Sequence, residues 1–577
     1  ALLGMIFCLL WGGVGTINAQ TKTVAGTVSD DKGELIVSGT VRVKGTQTAT
    51  ITDIDGKYSI SAPAGGTLVF SYLGYLSQEI PVAQAKNGKL NVVLKAEDTT
   101  LDELVVVGYG TMRKSDLTGS VSNTKGADII KQQSFNALDG LKGKAAGVNI
   151  FSNTGQPGGE MRVIIRGIAT INASTSPLYI VDGVAVSDFN LLNPNDIESI
   201  EVLKDASAAA IYGARGANGV IMVTTKRGNG GQGVHVSYDG SLSVSTMARK
   251  MDVMNSKEWM AAFKQGLENA NQFQGMNFDT DLSKIFTDER LFKNGEPIYD
   301  TDWQDACSRT ALSQNHQLSI QRTGADGSSI GAFLNFTDQQ GILLNSYYKR
   351  VNAKVSYDDN PTKWLSTSVN MLVNHTWGNR TSDNPYSQGG LRTMIEQVPF
   401  LPVSLNGEYM QNNMIRTTAI LKDKNDPSRG YQGFQPEGVG NPVEIFKRVE
   451  SMSYNTQIFG NAALTFHLLK GLDLKTQVGV DYHNGRSQGY TPFKPHQIID
   501  MSANGSASAS NSSSLYWQEE TYLTYIKDFD KHHLNAMAGA SWQARKYTYF
   551  GASDSKFMDD YYGFYNLGAG TEKPSVG

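Results

Sequence analysis

The chain has 577 residues, more than one ordinary domain holds. Its formal charge of -4 is nearly neutral for that length and gives no basic surface for a nucleic acid. With 60 glycines, 16 prolines and 18% charged residues, the composition favours turns and strands over long helices. Two cysteines, Cys8 and Cys307, exclude a disulfide framework, and Cys307 is expected to be a buried or incidental thiol.

Residues 1–19 read as a secretory signal peptide: an apolar run, then small residues, with cleavage after Ala19. Ile17 is not the small residue such sites prefer. An initiator Met and a basic flank are lacking, so the leader is expected to be incomplete. Cys8 has apolar neighbours on both sides, which rules out a lipoprotein cleavage site. Beyond the leader no run approaches the ~18 apolar residues of a membrane helix. An exported chain of this kind is either soluble outside the inner membrane or a β-barrel.

Residues 21–96 alternate short strands ("TVAGTVS", "TVRVKG", "KYSISA", "TLVFSYLG") with the turn signals Asp30–Gly33, Asp53–Gly56 and Ala64–Gly66. They predict an Ig-like or transthyretin-like β-sandwich. Residues 97–113 hold "LDELVVVGYGT", a strand-like stretch between the polar "KAEDTT" and the basic "MRKSD". Residues 114–228 mix strands such as "PLYIVDGVAV" and "GVIMVTTKRG" with a short helix in "SFNALDGLKGKAAGV". Asp182 in "VDG" reads as a turn residue.

From 234 to 577 the strands lengthen and become strictly two-periodic. Val351, Ala353, Val355 and Tyr357 alternate with Asn352, Lys354 and Ser356, and Val478, Val480 and Tyr482 alternate with Gln477 and Asp481. Some joints are tight, as at Leu469–Gly471 and 528–531; others are long, Met247–Ser313 and Gly378–Met452. Lipid offers no hydrogen bonds, so strands can span only as a closed sheet. One apolar face, short turns at one end and long loops at the other predict an outer-membrane barrel. The rival, a soluble all-β protein, has the same periodicity; the export signal and the loop asymmetry together favour the barrel. Roughly nine such strands can be counted, too few for a wide barrel. The remaining strands are expected beyond Gly577.

No catalytic or metal constellation is legible. The eight histidines show no H-E-x-x-H, and no G-x-S-x-G occurs. "GNGGQG" (228–233) precedes a strand rather than a helix, so it reads as a linker and not a phosphate loop. "SKEWMAAFKQGL" reads as a loop helix. No cofactor and no enzymatic activity are expected.

"RVIIRGIATINASTSPLYIVDGV", "NPNDIESIEVLKDASAAAIYGARGANGVIMVTTKRG" and "LDELVVVGYGT" resemble the plug region of SusC-like (SusC/RagA-type) TonB-dependent outer-membrane transporters of Bacteroidetes. "TDWQDA" and "QNHQLSI" resemble the start of their barrel, and the first domain resembles their carboxypeptidase-regulatory-like extension. Leu104 stands where the family commonly has valine or isoleucine, and Cys307–Ser308 in a usually apolar stretch. The resemblance implies a mainly β fold: a sandwich at 21–96, an α+β plug at 114–228, and the first part of a large antiparallel transmembrane barrel at 234–577. It implies TonB-driven import of a glycan or oligopeptide beneath a SusD-like surface lipoprotein. ExbB and ExbD would energise TonB at the inner membrane.

On this reading residues 97–113 are a linker containing the TonB-binding segment Leu101, Asp102, Glu103, Leu104, Val105, Val106, Val107, Gly108, Tyr109 and Gly110. It would add as a strand to a TonB sheet. Asp102 and Glu103 would meet basic groups there, and Gly108 and Gly110 would free the chain. Arg166 and Arg215 are expected to contact the barrel. Tyr386, Phe400, Tyr409, Tyr431 and Phe434 are expected to face substrate or lid. The alternatives are a siderophore or cobalamin receptor without a lid, and a surface barrel that does not transport.

Overall fold

The computed structural model describes the chain from residue 21 onward, apart from 31–32, 47, 73–74, 96–103, 108–109, 114–119, 153, 168–171, 173, 190–191, 229–232, 382–389, 416–420, 427–429, 432–439, 493–504, 530–531 and 573. The chain divides into two compact units, one of 1–105 with 112–116, the other of 106–111 with 117–577.

The first unit is a sandwich of two sheets. One orders Lys57–Pro63, Thr21–Asp30 and Val92–Leu94; the other orders Ala49–Ile51, Thr40–Val43, Thr67–Ser71 and Gln78–Pro81. Along Lys57–Pro63 the residues Tyr58, Ile60 and Ala62 are buried while Lys57, Ser59 and Ser61 face water. Val24, Val41, Leu68, Phe70 and Leu94 join them in one core. The Asp53–Gly56 turn forms as its residues dictate: the Asp53 carboxylate accepts from the amides of Asp55 (2.9 Å) and Lys57 (2.8 Å), and Gly56 takes a positive φ of 65°.

The second unit begins with a five-stranded mixed sheet ordered Val121–Lys125, Ile197–Leu203, Val220–Thr225, Leu178–Val181 and Val184–Val186. Helices Gly126–Ile130 and Ala137–Leu141 and a separate hairpin, Val148–Ser152 with Met161–Ile165, pack on it. Ile180, Val181, Ile200, Val202, Ile221 and Val223 fill its core.

Around this lies a ten-stranded antiparallel meander: Gly233–Ser245, Ala311–Thr323, Ser329–Gln340, Tyr347–Thr362, Leu365–Asn379, Glu450–Leu469, Leu472–Thr491, Ser506–Phe529, His532–Ser555 and Ser575–Val576. Nine of these are long and the last has 2 residues. Their burial runs against the habit of water-soluble sheets. Asn352, Lys354 and Ser356 are no more than 1% exposed, while Val355 is 49% exposed. The polar face is covered by the central domain and the apolar face is bare, the alternation of a lipid-facing wall. Aromatic pairs mark both ends of this bare face. Trp364 stacks on Phe466 at 6.1 Å near the short turns, and Trp377 pairs in register with Tyr454 near the long loops. Among the described residues no helix is long and apolar enough to cross a membrane.

The two long loops fold into one apolar body on the wall's rim. Helix Ser256–Phe273 starts with a capping box from Asn255 and Glu258, and turns Met260 and Leu267 inward. They meet Phe286, Leu291, Trp303, Phe400, Leu401 and Phe446.

Candidate functional site

The central domain is held by the wall through a seam of side-chain amides and carboxylates. The tip of the Leu178–Val186 hairpin carries Asp182 and Gly183 with φ of 46° and 88°, the positive pair that a two-residue Asp-Gly turn needs. Asp182 is thus a turn residue, and also more than one. Its carboxylate accepts from the Thr225 amide (3.0 Å) and hydroxyl (2.7 Å) inside the domain, and from Asn370 of the wall. Its carbonyl accepts from Asn461 (2.8 Å) and Gln477 (3.1 Å), and the Gly183 carbonyl from Gln518 (3.0 Å). The Asp481 carboxylate accepts from the Ser187 amide (3.0 Å), the Ser187 hydroxyl (2.8 Å) and Gln457 (2.7 Å). A Cβ at Gly479 would stand 2.3 Å from Val184, so glycine there lets the hairpin close on the wall.

On another stretch of the seam Gln317 bridges Asn193 (2.6 Å) and Asp196 (2.9 Å). Asp196 is fully buried, and its second oxygen has no hydrogen bond among the described residues. Burial pushes its carboxyl above the usual carboxylate range, against the pull of Lys354 and Arg350. Arg227, just before the linker, pairs with Asp358 and Ser368 of the wall.

On the long-loop side of this seam is a cavity of about 520 Å³. Glu160, Ser187 and Asp188 form part of its floor, and Tyr348, Gln457, Arg380 and Arg545 part of its sides. The lining mixes both charges with amides, hydroxyls and phenols, and suits a polar ligand with many hydrogen-bonding groups. Among the described residues no group of His, Cys, Asp and Glu is placed to hold a metal.

Arg215 reaches across to Gln543 of the wall and lies 5.9 Å from the Tyr516 ring centre. Arg166, expected as a second such contact, instead has its guanidinium 3.8 Å from Asp205 within the central domain. Its positive φ of 60° lies in that domain's own hairpin end, where the amide donates to Gly147. Phe400, expected to face a ligand, is fully buried against Trp259, Phe286 and Phe292. The loop aromatics are numerous enough to make a core of their own, and Phe400 belongs to it. Tyr409 packs partly buried on the same core. Tyr431 lies in a short strand paired with Leu421–Lys422, and Tyr386 and Phe434 fall outside the described residues. Cys307 is buried in this loop core, and burial pushes its thiol up to about 12.

Of the TonB-binding segment, Leu104, Val105, Val106 and Val107 form a strand paired with a strand that starts at Gly110. Leu101, Asp102, Glu103, Gly108 and Tyr109 lie outside the described residues. The seam residues Asn370, Asn461, Gln477, Asp481 and Gln518 were not singled out in the sequence. The available signal was their alternation with apolar residues, which gives the face but not the partner.

Residues 113–220 match the TonB-dependent Receptor Plug Domain family, and residues 24–106 the CarboxypepD_reg-like domain family. The chain is 34% identical to TonB-dependent receptor SusC of Bacteroides thetaiotaomicron over 91% of its own length and 50% of that protein's. It is 30% identical to TonB-dependent receptor P39 of Formosa agariphila, over 98% of its length and 50% of that protein's. The chain thus spans about half the length of these curated relatives. In fold it superposes on the RagAB peptide importer in its closed-closed state with a TM-score of 0.65, at 24% identity, over 80% of this chain and 52% of that one. With a plug domain seated in an outer-membrane β-barrel wall and a regulatory-like domain before it, the chain belongs to the SusC-like TonB-dependent receptors.

Proposed function

We propose that the chain serves TonB-driven import of a nutrient, a glycan or an oligopeptide, across the outer membrane beneath a SusD-like surface lipoprotein. The observation that carries this reading is the chemistry of the seam. The plug packs most of its apolar side chains on one another, and polar groups make most of its attachments to the wall. Each such bond is worth only ~0.5–1.5 kcal/mol net, because water replaces it when it breaks. A stopper held this way can part from its wall under an outside pull while its own core persists. The cavity on the long-loop side then receives cargo, with Arg380 and Arg545 toward anionic groups, Glu160 and Asp188 toward cationic ones, and Tyr348 for ring stacking. The likeness to an importer of peptides supports an oligopeptide, and the amides, hydroxyls and phenols of the lining suit a glycan equally.

Residues Leu101 to Gly110 are the TonB-binding segment on this reading, and Arg215 is a plug-to-barrel contact. Tyr386, Tyr409, Tyr431 and Phe434 serve substrate or lid; Phe400 does not. The test uses full-length protein extracted gently from native outer membrane, with mass spectrometry of what comes with it. A stoichiometric surface lipoprotein with a bound glycan or peptide is expected. A lone barrel carrying an iron chelate or a corrinoid would assign it to the lidless receptors instead. Deleting residues 102–109 should abolish uptake and leave the protein in the membrane.

A further inference from the structure

The strand Leu104–Val107 is not open on both edges: it forms a two-stranded sheet with Gly110–Arg113. We propose that Gly110–Arg113 is a built-in competitor strand, which occupies one hydrogen-bonding edge of the TonB-binding segment at rest and gives way to the strand that TonB supplies. The inference rests on the reading of that segment as TonB-binding, and adds a restraint to it.

Two properties of the chain make such a restraint workable. The first is balance. Only residues 108–109 join the two strands, so the pairing is intramolecular, with an effective concentration on the order of mM. A lone two-stranded hairpin is nevertheless marginal in water, so it delays a partner without excluding it. The second is the direction of load. The next described residue after Arg113 is Ser120, which is fastened to the plug. The Ser120 amide donates to Asp205 at 2.6 Å, and its carbonyl accepts from the Lys204 amide at 3.3 Å. The plug's edge strand Val121–Lys125 starts there. A pull at Leu104 against a hold at Ser120 loads the hairpin at its open end. Its pairs then break one after another, at lower force than if all were sheared together. Once open, the ten residues 104–113 reach at most ~33–36 Å, slack that is drawn out before force arrives at the plug.

The experiment measures the affinity of the purified periplasmic domain of TonB for full-length receptor in detergent, comparing wild type with Thr111→Pro and Met112→Pro. Adjacent strand residues point their amides to opposite edges, so one of the two prolines removes a ladder hydrogen bond whatever the register. If the hairpin is closed about nine-tenths of the time, releasing it tightens the apparent Kd roughly tenfold. Hydrogen exchange at Leu104–Val107 should be slowed in wild type and fast in the tighter variant. Heat-modifiable migration on gels verifies that each variant keeps a folded barrel. Affinity unchanged or weakened in both variants, or unprotected amides in wild type, would overturn the proposal. Val106→Pro separates the two layers. It should abolish binding; if it binds like wild type, the TonB-binding assignment fails and the restraint with it. If it fails to bind while the Thr111 and Met112 variants match wild type, only the restraint fails.

Discussion

The sandwich strand Lys57–Pro63 and the wall strand Tyr347–Thr362 share one period and opposite burial. In the first, Tyr58, Ile60 and Ala62 are inside and Lys57, Ser59 and Ser61 outside. In the second, Arg350, Asn352, Lys354 and Ser356 are inside while Val351, Val355 and Tyr357 are exposed. Alternation states that a strand has two faces. Which face is covered depends on the two media it separates: water and an apolar core for the sandwich, lipid and a polar plug for the wall.

One substitution made in both regions should therefore fail for opposite reasons. Ile60→Lys sets an unpaired cation in a core where Ile60 is 4% exposed, and should unfold the sandwich; limited proteolysis of the whole chain would report cleavage between 21 and 96. Val355→Lys moves the same charge onto the lipid face and should cost about 2–4 kcal/mol, read as a lower yield of assembled barrel in the outer membrane. A wild-type yield would argue that this face does not meet lipid.

A smaller effect is expected on the polar face. Asn461→Ala removes a donor to the Asp182 carbonyl and should weaken the plug's hold by about 1 kcal/mol, with the barrel level unchanged. Hydrogen exchange across residues 178–186 would measure it. The seam should also respond to pH. Burial raises the folded-state pKa of Asp196 above its unfolded value. Between those two values the folded protein binds more protons than the unfolded one, so stability falls as pH rises through the window and recovers on acidification. Asp196→Asn should flatten that part of the profile; a profile equally steep in the variant would exclude Asp196 as its source. The smallest change is expected at Arg215→Ala, an exposed contact worth less than ~1 kcal/mol.

The helix from 256, the Asp53–Gly56 turn and the Asp-Gly hairpin at 182–183 were legible because each depends on a few neighbours in sequence. The fates of Phe400 and Arg166 were not. An aromatic in a long polar loop looks the same whether it waits for a ligand or packs on Trp259, from a different loop. An arginine beside glycine does not reveal that Asp205 lies within reach.

Sequence by itself determined that this chain is built mainly of strands and two-faced along its long ones. Period, turn residues and the ban on unpaired backbone in lipid are local rules. Only the tertiary structure decided which amide meets which carbonyl. The donors of Asn370, Asn461, Gln477 and Gln518 come from four strands and converge on one Asp-Gly turn that lies 188–335 residues away in sequence. No local rule carries that distance; packing the plug against the polar face of the sheet does.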